Sequence, residues 1–251
     1  MLYLYGVVRA GQPAPDKAGV GSPPQPVRVV DGERVAALVS EVPDGYQVHE
    51  EDARSHLQVL IAALADGPVV PLRMGTVAGD DAEARRIVAE AEADLAATLE
   101  ALTGVVELQV DADDDVGEVV ALVARTAPTV DAAGADLATR IEIGQRVAEL
   151  VTEHRVQVAE RIVDNLRRLS VDDVPRSQIS GPEDPVLRWA FLVKNEDVEL
   201  FDQAIVALRA EHPSLSFRYV GPLPAAHFVA REPVPATEAV DNFHGNGSWG
   251  W

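Results

Sequence analysis

Between Asp136 and Leu169 the chain places Leu137, Ile141, Gly144, Ala148, Val151, Val158 and Ile162 in steps of three, four or seven residues. That spacing lines one face of a single long helix. At a rise of ~1.5 Å per residue the helix is about 50 Å long, so it dictates the layout of everything around it. Arg155 and Asn165 interrupt its apolar seam, which favours packing within the fold over an intermolecular coiled coil.

The segments before it alternate between strand and helix signals. Leu2 to Val8 is apolar and β-prone, and the Pro/Gly-rich "GQPAPDKAGVGSPPQP" after it has no helical period, so it reads as a loop. In "VRVVDGERVAALVSEV" the pair Asp31-Gly32 divides two apolar runs, a hairpin signal. His49 to Leu64 carries Leu57, Leu60, Ile61 and Leu64 at helical spacing, and Gly67-Pro68 ends it. "VVPLRMGTV" follows, then a helix from Asp81 to Leu102 with Ile87, Val88, Ala91 and Leu95 on its stripe, then the strand "VVELQV".

This order of elements predicts an α+β fold with helices on a sheet. The acidic run "DADDDVGE" and the segment "APTVDAAGAD" form a composition break, which sets a domain boundary at 111/112. Beyond the long helix come a polar connection "VDDVPRSQISGPEDP", the strand "LRWAFLVK", a helix with Val198, Phe201, Ile205 and Leu208 on one face, and the strand "LSFRYVGP". Asn195 is the expected N-cap of that helix. The resulting division is 1–111, 112–232 and a loose tail 233–251.

Charge and composition narrow the function. The 251 residues hold 41 acidic against 21 basic side chains, a formal charge of −20, which disfavours nucleic acid as a partner. No cysteine is present, so disulfides, thiolate nucleophiles and zinc–thiolate sites are excluded. No run approaches the roughly 20 apolar residues needed to cross a bilayer. The opening residues read as a first strand, not an export signal, and the expectation is a soluble cytoplasmic protein without membrane association.

The chemical motifs fall short. Asp111, Asp113 and Asp115 have the alternate spacing of a calcium loop, but Val116 and Leu122 stand where glycine and glutamate are required, so the run reads as an acidic linker. His49 and His56 are seven residues apart, not the four of a zincin helix. "GVGSPP" lacks the lysine of a phosphate loop. Catalytic, metal and cofactor residues are therefore all expected to be none.

Two stretches remain. "VVPLRMGTV" sets Pro71, Arg73 and Gly75 inside an apolar run. Proline places it at a strand start or sheet edge, and glycine marks a bulge or close backbone approach. Arg73 calls for a carboxylate or carbonyl partner, with Glu107 as the candidate. In "FRYVGPLPAAHFV", Gly221, Pro222 and Pro224 break a strand. The break serves either as a kink ending the strand or as a stiff apolar surface for another protein.

"LYLYGVV", "VVPLRMGTV", "ELQV", "WAFLVK" and "RYVGPLP", in that order along the chain, resemble the gas vesicle protein family GvpF/GvpL. The resemblance implies two α+β domains, the first a modified ferredoxin-like sheet lacking a helix between its first two strands. It implies a non-enzymatic assembly or minor structural protein of gas vesicles, hollow protein shells that give prokaryotic cells buoyancy. Its partners would be the major shell protein GvpA and other gas vesicle proteins, and its location the cytoplasm and the vesicle.

The family's late motif runs close to G-P-W-P-P-Y-S-F. Here Leu223 replaces the tryptophan and Ala225, Ala226 and His227 replace Pro-Tyr-Ser, while Gly221, Pro222, Pro224 and Phe228 persist. The expected partner-binding or motif residues are thus Pro71, Arg73, Gly75, Gly221, Pro222, Leu223, Pro224 and Phe228. The competing readings are an enzyme or small-molecule binder using His56, His227 or a nearby acid, and a scaffold that self-assembles through the long helix.

Overall fold

The computed structural model of the protein describes residues 1–126, 136–177 and 184–229. They form two compact units: Met1–Glu107 with, of the described residues, 222–229, and Leu108–Gly221.

The first unit opens with β1 (Leu2–Arg9), then the hairpin β2 (Arg28–Asp31) and β3 (Val35–Glu41), then α1 (Glu50–Ala63). Two short strands follow, β4 (Val69–Pro71) and β5 (Val77–Ala78), then α2 (Asp81–Glu90) and α3 (Glu92–Ala101). The sheet order is β2-β3-β1-β4, with β5 also pairing with β1, and the recorded pairings are antiparallel. This is the strand order of a split β-α-β unit whose first crossover is the loop 10–27 in place of a helix.

β1 is buried from Leu2 to Val8. Alternation sends Tyr3 toward α1 and the loop, where Val20, Val27, Leu38, Val59, Leu60 and Ala63 complete a core. α2 and α3 contact β1 from the rest of the unit.

The second unit is built on β6 (Val105–Asp114), α4 (Val116–Thr126), α5 (Leu137–Arg167), β7 (Asp172–Pro175), β8 (Leu187–Lys194), α6 (Val198–Glu211) and β9 (Leu215–Leu223). Its sheet order is β7-β8-β6-β9. Counting within the unit, that is second-third-first-fourth, the same as in the first sheet. α5 is the long helix expected, with the Asp136 carboxylate capping it by accepting from Thr139 N at 2.9 Å. Its C-terminal half is the packed half: Val151, Val158, Ile162 and Leu166 are buried. Phe201, Ile205 and Leu208 of α6 are buried, with the Phe201 ring 5.3 Å from Phe191 on β8. α7 (Ala226–Val229) ends the described chain.

Several expectations give way. The acidic run read as a linker is instead the end of β6, an inner strand, over 111–114 and the start of α4 from Val116; ion pairs neutralise the strand carboxylates that make it look solvated, Asp114 with Arg155 and Asp111 with Arg176 and Arg218. The connection after α5 contains the edge strand β7. The single helix from Asp81 to Leu102 is two, broken at Ala91 (φ −123°, ψ 24°). There Glu92 accepts the Arg34 amide of the hairpin turn at 2.8 Å, which fixes where α3 starts. Asn195 lies in a 3-10 turn, and Asp197 occupies the N-cap position of α6. The tail 233–251 and most of "APTVDAAGAD" fall outside the described residues.

Candidate functional site

"VVPLRMGTV" is two strand fragments separated by a loop. Gly6 and Val8 of β1 face Pro71 and Val69, while Tyr3 faces Val77. Two β1 residues, Leu4 and Tyr5, thus stand opposite the five residues 72–76. β1 is irregular at the same point on its other edge, where the β3 register shifts between Leu4 and Gly6. The loop is stitched back to β1 by Leu72 N to Tyr5 O at 3.0 Å and Leu4 N to Thr76 O at 2.9 Å. Pro71 ends an edge strand, where its missing donor costs nothing. Gly75 sits at φ +90°, a conformation that L side chains resist.

A buried polar cluster holds this loop. The Gly75 amide donates to the Tyr3 hydroxyl at 3.2 Å, and that hydroxyl bonds His56 Nδ1 of α1 at 2.9 Å. Burial pushes the His56 imidazole down to about 4, partly offset by a hydrogen bond with the Leu72 backbone, so near neutral pH it is an uncharged tie between α1 and the loop. Beside it, the Tyr5 hydroxyl accepts from Val20 N at 2.7 Å and bonds Ser40 Oγ at 2.7 Å. Asp52, also buried, accepts from the Tyr46 hydroxyl and the His49 amide, both at 2.7 Å. Burial raises the Tyr3, Tyr5 and Tyr46 hydroxyls above their ordinary range.

Arg73 does not join this cluster. Its side chain is exposed and takes no carboxylate among the described residues. The expected partner, Glu107, is fully buried and belongs to His227: its carboxylate accepts from His227 N at 3.0 Å and lies 2.7 Å from His227 Nδ1. The loop projects Arg73 outward because the bulge lifts 72–76 out of the ladder, which removes the desolvation cost on which the pairing argument rested.

α7, the end of the late motif, packs against β4. The two signature stretches, some 150 residues apart in sequence, are therefore neighbours in the first unit, with Glu107 anchoring one of them. Leu223, Pro224 and Ala225 are buried, Phe228 is half-buried, and Gly221 and Pro222 are exposed. The small residues at 225 and 226 sit where the chain turns into α7 through Ala226 N to Pro224 O at 2.7 Å.

Sequence reasoning missed Tyr3, Tyr5 and Asp52 as organising residues, and it gave Glu107 the wrong partner. The signal was present on α1: its buried face is Asp52, His56, Val59, Leu60 and Ala63, whereas Ile61, placed on that face by spacing, is 38% exposed. Among the described residues no group of three or more histidines, aspartates or glutamates is placed to hold a metal ion. Among them, too, no helix is long and apolar enough to cross a membrane.

Comparison with known proteins gives a consistent result. A family model described as gas vesicle synthesis protein GvpL/GvpF matches residues 1–230. Gas vesicle protein F of Streptomyces sp. (strain CB03234) is 32% identical over 239 residues, covering 90% of this chain and 98% of that protein. Gas vesicle protein F1 of Halobacterium salinarum is 25% identical over 232 residues, covering 91% and 92%. The fold matches crystal structures of GvpF from Anabaena sp. PCC7120 (TM-score 0.78, 21% identity, 92% of this chain and 97% of that one) and from Microcystis aeruginosa (0.73, 19%, 91% and 98%).

Proposed function

The chain belongs to the GvpL/GvpF family of gas vesicle proteins and has a role in gas vesicle formation, and from that premise we propose that it is a non-enzymatic assembly or minor structural protein that binds the major shell protein GvpA and other gas vesicle proteins in the cytoplasm. The observation that carries the reading is the family match along nearly the whole chain.

The neighbouring segments 69–77 and 222–229 are the proposed contact surface. Arg73 and Pro222 present exposed side chains and Phe228 a half-buried ring, while Pro71, Gly75, Leu223 and Pro224 shape the backbone beneath them. Gly221 and Pro222 do not break the strand as expected: β9 runs through them to Leu223, and the chain leaves the sheet only at Pro224, before α7. The two histidines of the enzymatic reading are both engaged, His56 in the buried cluster and His227 with Glu107, which supports a structural use.

Deleting the chain from a gas-vesicle-forming host without a redundant homologue is expected to reduce or abolish vesicles by electron microscopy. Normal vesicles would defeat the role. With purified GvpA, the chain is expected to be retained on GvpA-coated resin, and Arg73→Glu combined with Phe228→Ala to lose retention. Equal retention of the variant would remove the contact surface while leaving the family role intact.

A further inference from the structure

The second unit contains a cleft of about 520 Å³ between α4, the middle of α5 and the turn joining α6 to β9. Its volume lies in the range of ligand-binding sites. The floor is apolar, formed by Val119, Val158 and Val186, all buried, with Leu122 exposed along one wall.

The lining is cationic in a chain of net charge −20. Arg125, Arg155 and Arg161 face Asp114 and Glu118, three formal positive charges against two negative, with His154, His212 and Ser214 beside them. Arg155 is committed: its Nε and Nη2 donate to the Asp114 carboxylate and its Nη1 to the Asp184 carbonyl at 3.2 Å. The rim groups are different. Arg125, His154 and His212 have no hydrogen-bonded or ionic side-chain partner among the described residues, and Arg161 only a Gln157 carbonyl at its Nε.

An apolar trough bordered by unpaired donors is complementary to an apolar segment that carries carboxylates at its edge. Elsewhere the acidic surface repels such a segment. The geometry points to this cleft as a docking site for an acidic amphipathic segment of a partner protein, its aliphatic side chains on Val119, Val158 and Leu122 and its carboxylates on Arg125 and Arg161. The inference does not depend on GvpA being that partner.

The test uses the full chain and a fluorescein-labelled peptide of repeated leucine, alanine and glutamate, followed by fluorescence anisotropy and by the imidazole NMR signals of His154 and His212. Saturable binding that moves both imidazole signals is expected, weakened about tenfold or more when glutamine replaces every glutamate or when the chain carries Arg125→Gln with Arg161→Gln. Arg140→Gln, on the exposed N-terminal half of α5, is expected to leave binding unchanged. Leu122→Glu, an exposed substitution that preserves the fold, is expected to abolish it.

Equal binding of the glutamine peptide, or binding without movement of the two imidazole signals, would overturn the proposal. So would concentration-dependent dimerisation abolished by Arg125→Gln with Arg161→Gln, since the occupant would then be a second copy of the chain. Inorganic phosphate that displaces the peptide as well as free glutamate peptide does would reduce the site to an anion site and overturn the docking role.

Discussion

The two sheets of this protein share one strand order and are held by opposite means. In the first, the crossover is a loop, and the polar groups buried beside β1 are hydroxyls, amides, a neutral imidazole and one carboxylate satisfied by donors. In the second, the crossover is helical, and β6 carries buried carboxylates that meet arginines: Asp114 with Arg155 of α5, and Asp111 with Arg176 and Arg218. A loop crossover delivers backbone N–H groups that need acceptors, so Tyr5 takes the one from Val20 and Asp52 the one from Gly21. A helix satisfies its own backbone and leaves only side chains to be matched.

The contrast makes its largest prediction at Arg155. Removing one member of a buried pair leaves the other charged and unpaired, so Arg155→Ala is expected to cost about 3–5 kcal/mol in denaturant unfolding. Arg155→Met combined with Asp114→Leu should recover most of that loss. A single substitution costing less than a surface change would break the distinction between the sheets.

The first sheet should respond to acid instead. His56 titrates near 4 in the folded protein, below its ordinary 6.5. Above pH 6.5 neither folded nor unfolded chain binds this proton, and its contribution is flat. Between 6.5 and about 4 only the unfolded chain binds it, so stability falls with pH by about 3 kcal/mol in total. Below 4 both forms bind it and the slope ends. His56→Gln should remove this component, measured as the difference between the two stability-against-pH curves; parallel curves would show that burial does not hold the imidazole neutral.

The smallest effect is expected at Arg73. Exposed and without a carboxylate partner among the described residues, it should tolerate Arg73→Gln with a change within about 0.5 kcal/mol. A larger loss would mean the loop 72–76 relies on that side chain.

Much of this was readable from residues. Dihedral and periodicity rules placed β1, the Asp31-Gly32 hairpin and the long helix, and the paired Pro71 and Gly75 marked an irregular edge. Arg155 was visible as a break in a helical seam, yet its partner was not, because Asp114 sat in a run whose acidity reads as solvated linker. Likewise His56 was noticed as a possible ligand, while the hydroxyl of Tyr3, 53 residues away, carries no local mark of its role.

Local preference acts through neighbours a few residues apart, and so spacing and composition sufficed for β1, the hairpin, the long helix, the acidic charge and the signature stretches, but not for α4 or for the break at Ala91. The tertiary structure decided which polar residues are buried, that Glu107 belongs to His227 and not to Arg73, and that residues 69–71 and 226–229 lie together. Those outcomes turn on desolvation, which is set by what surrounds a group in space. A sequence states a residue's charge, but only the packed fold states whether water still reaches it.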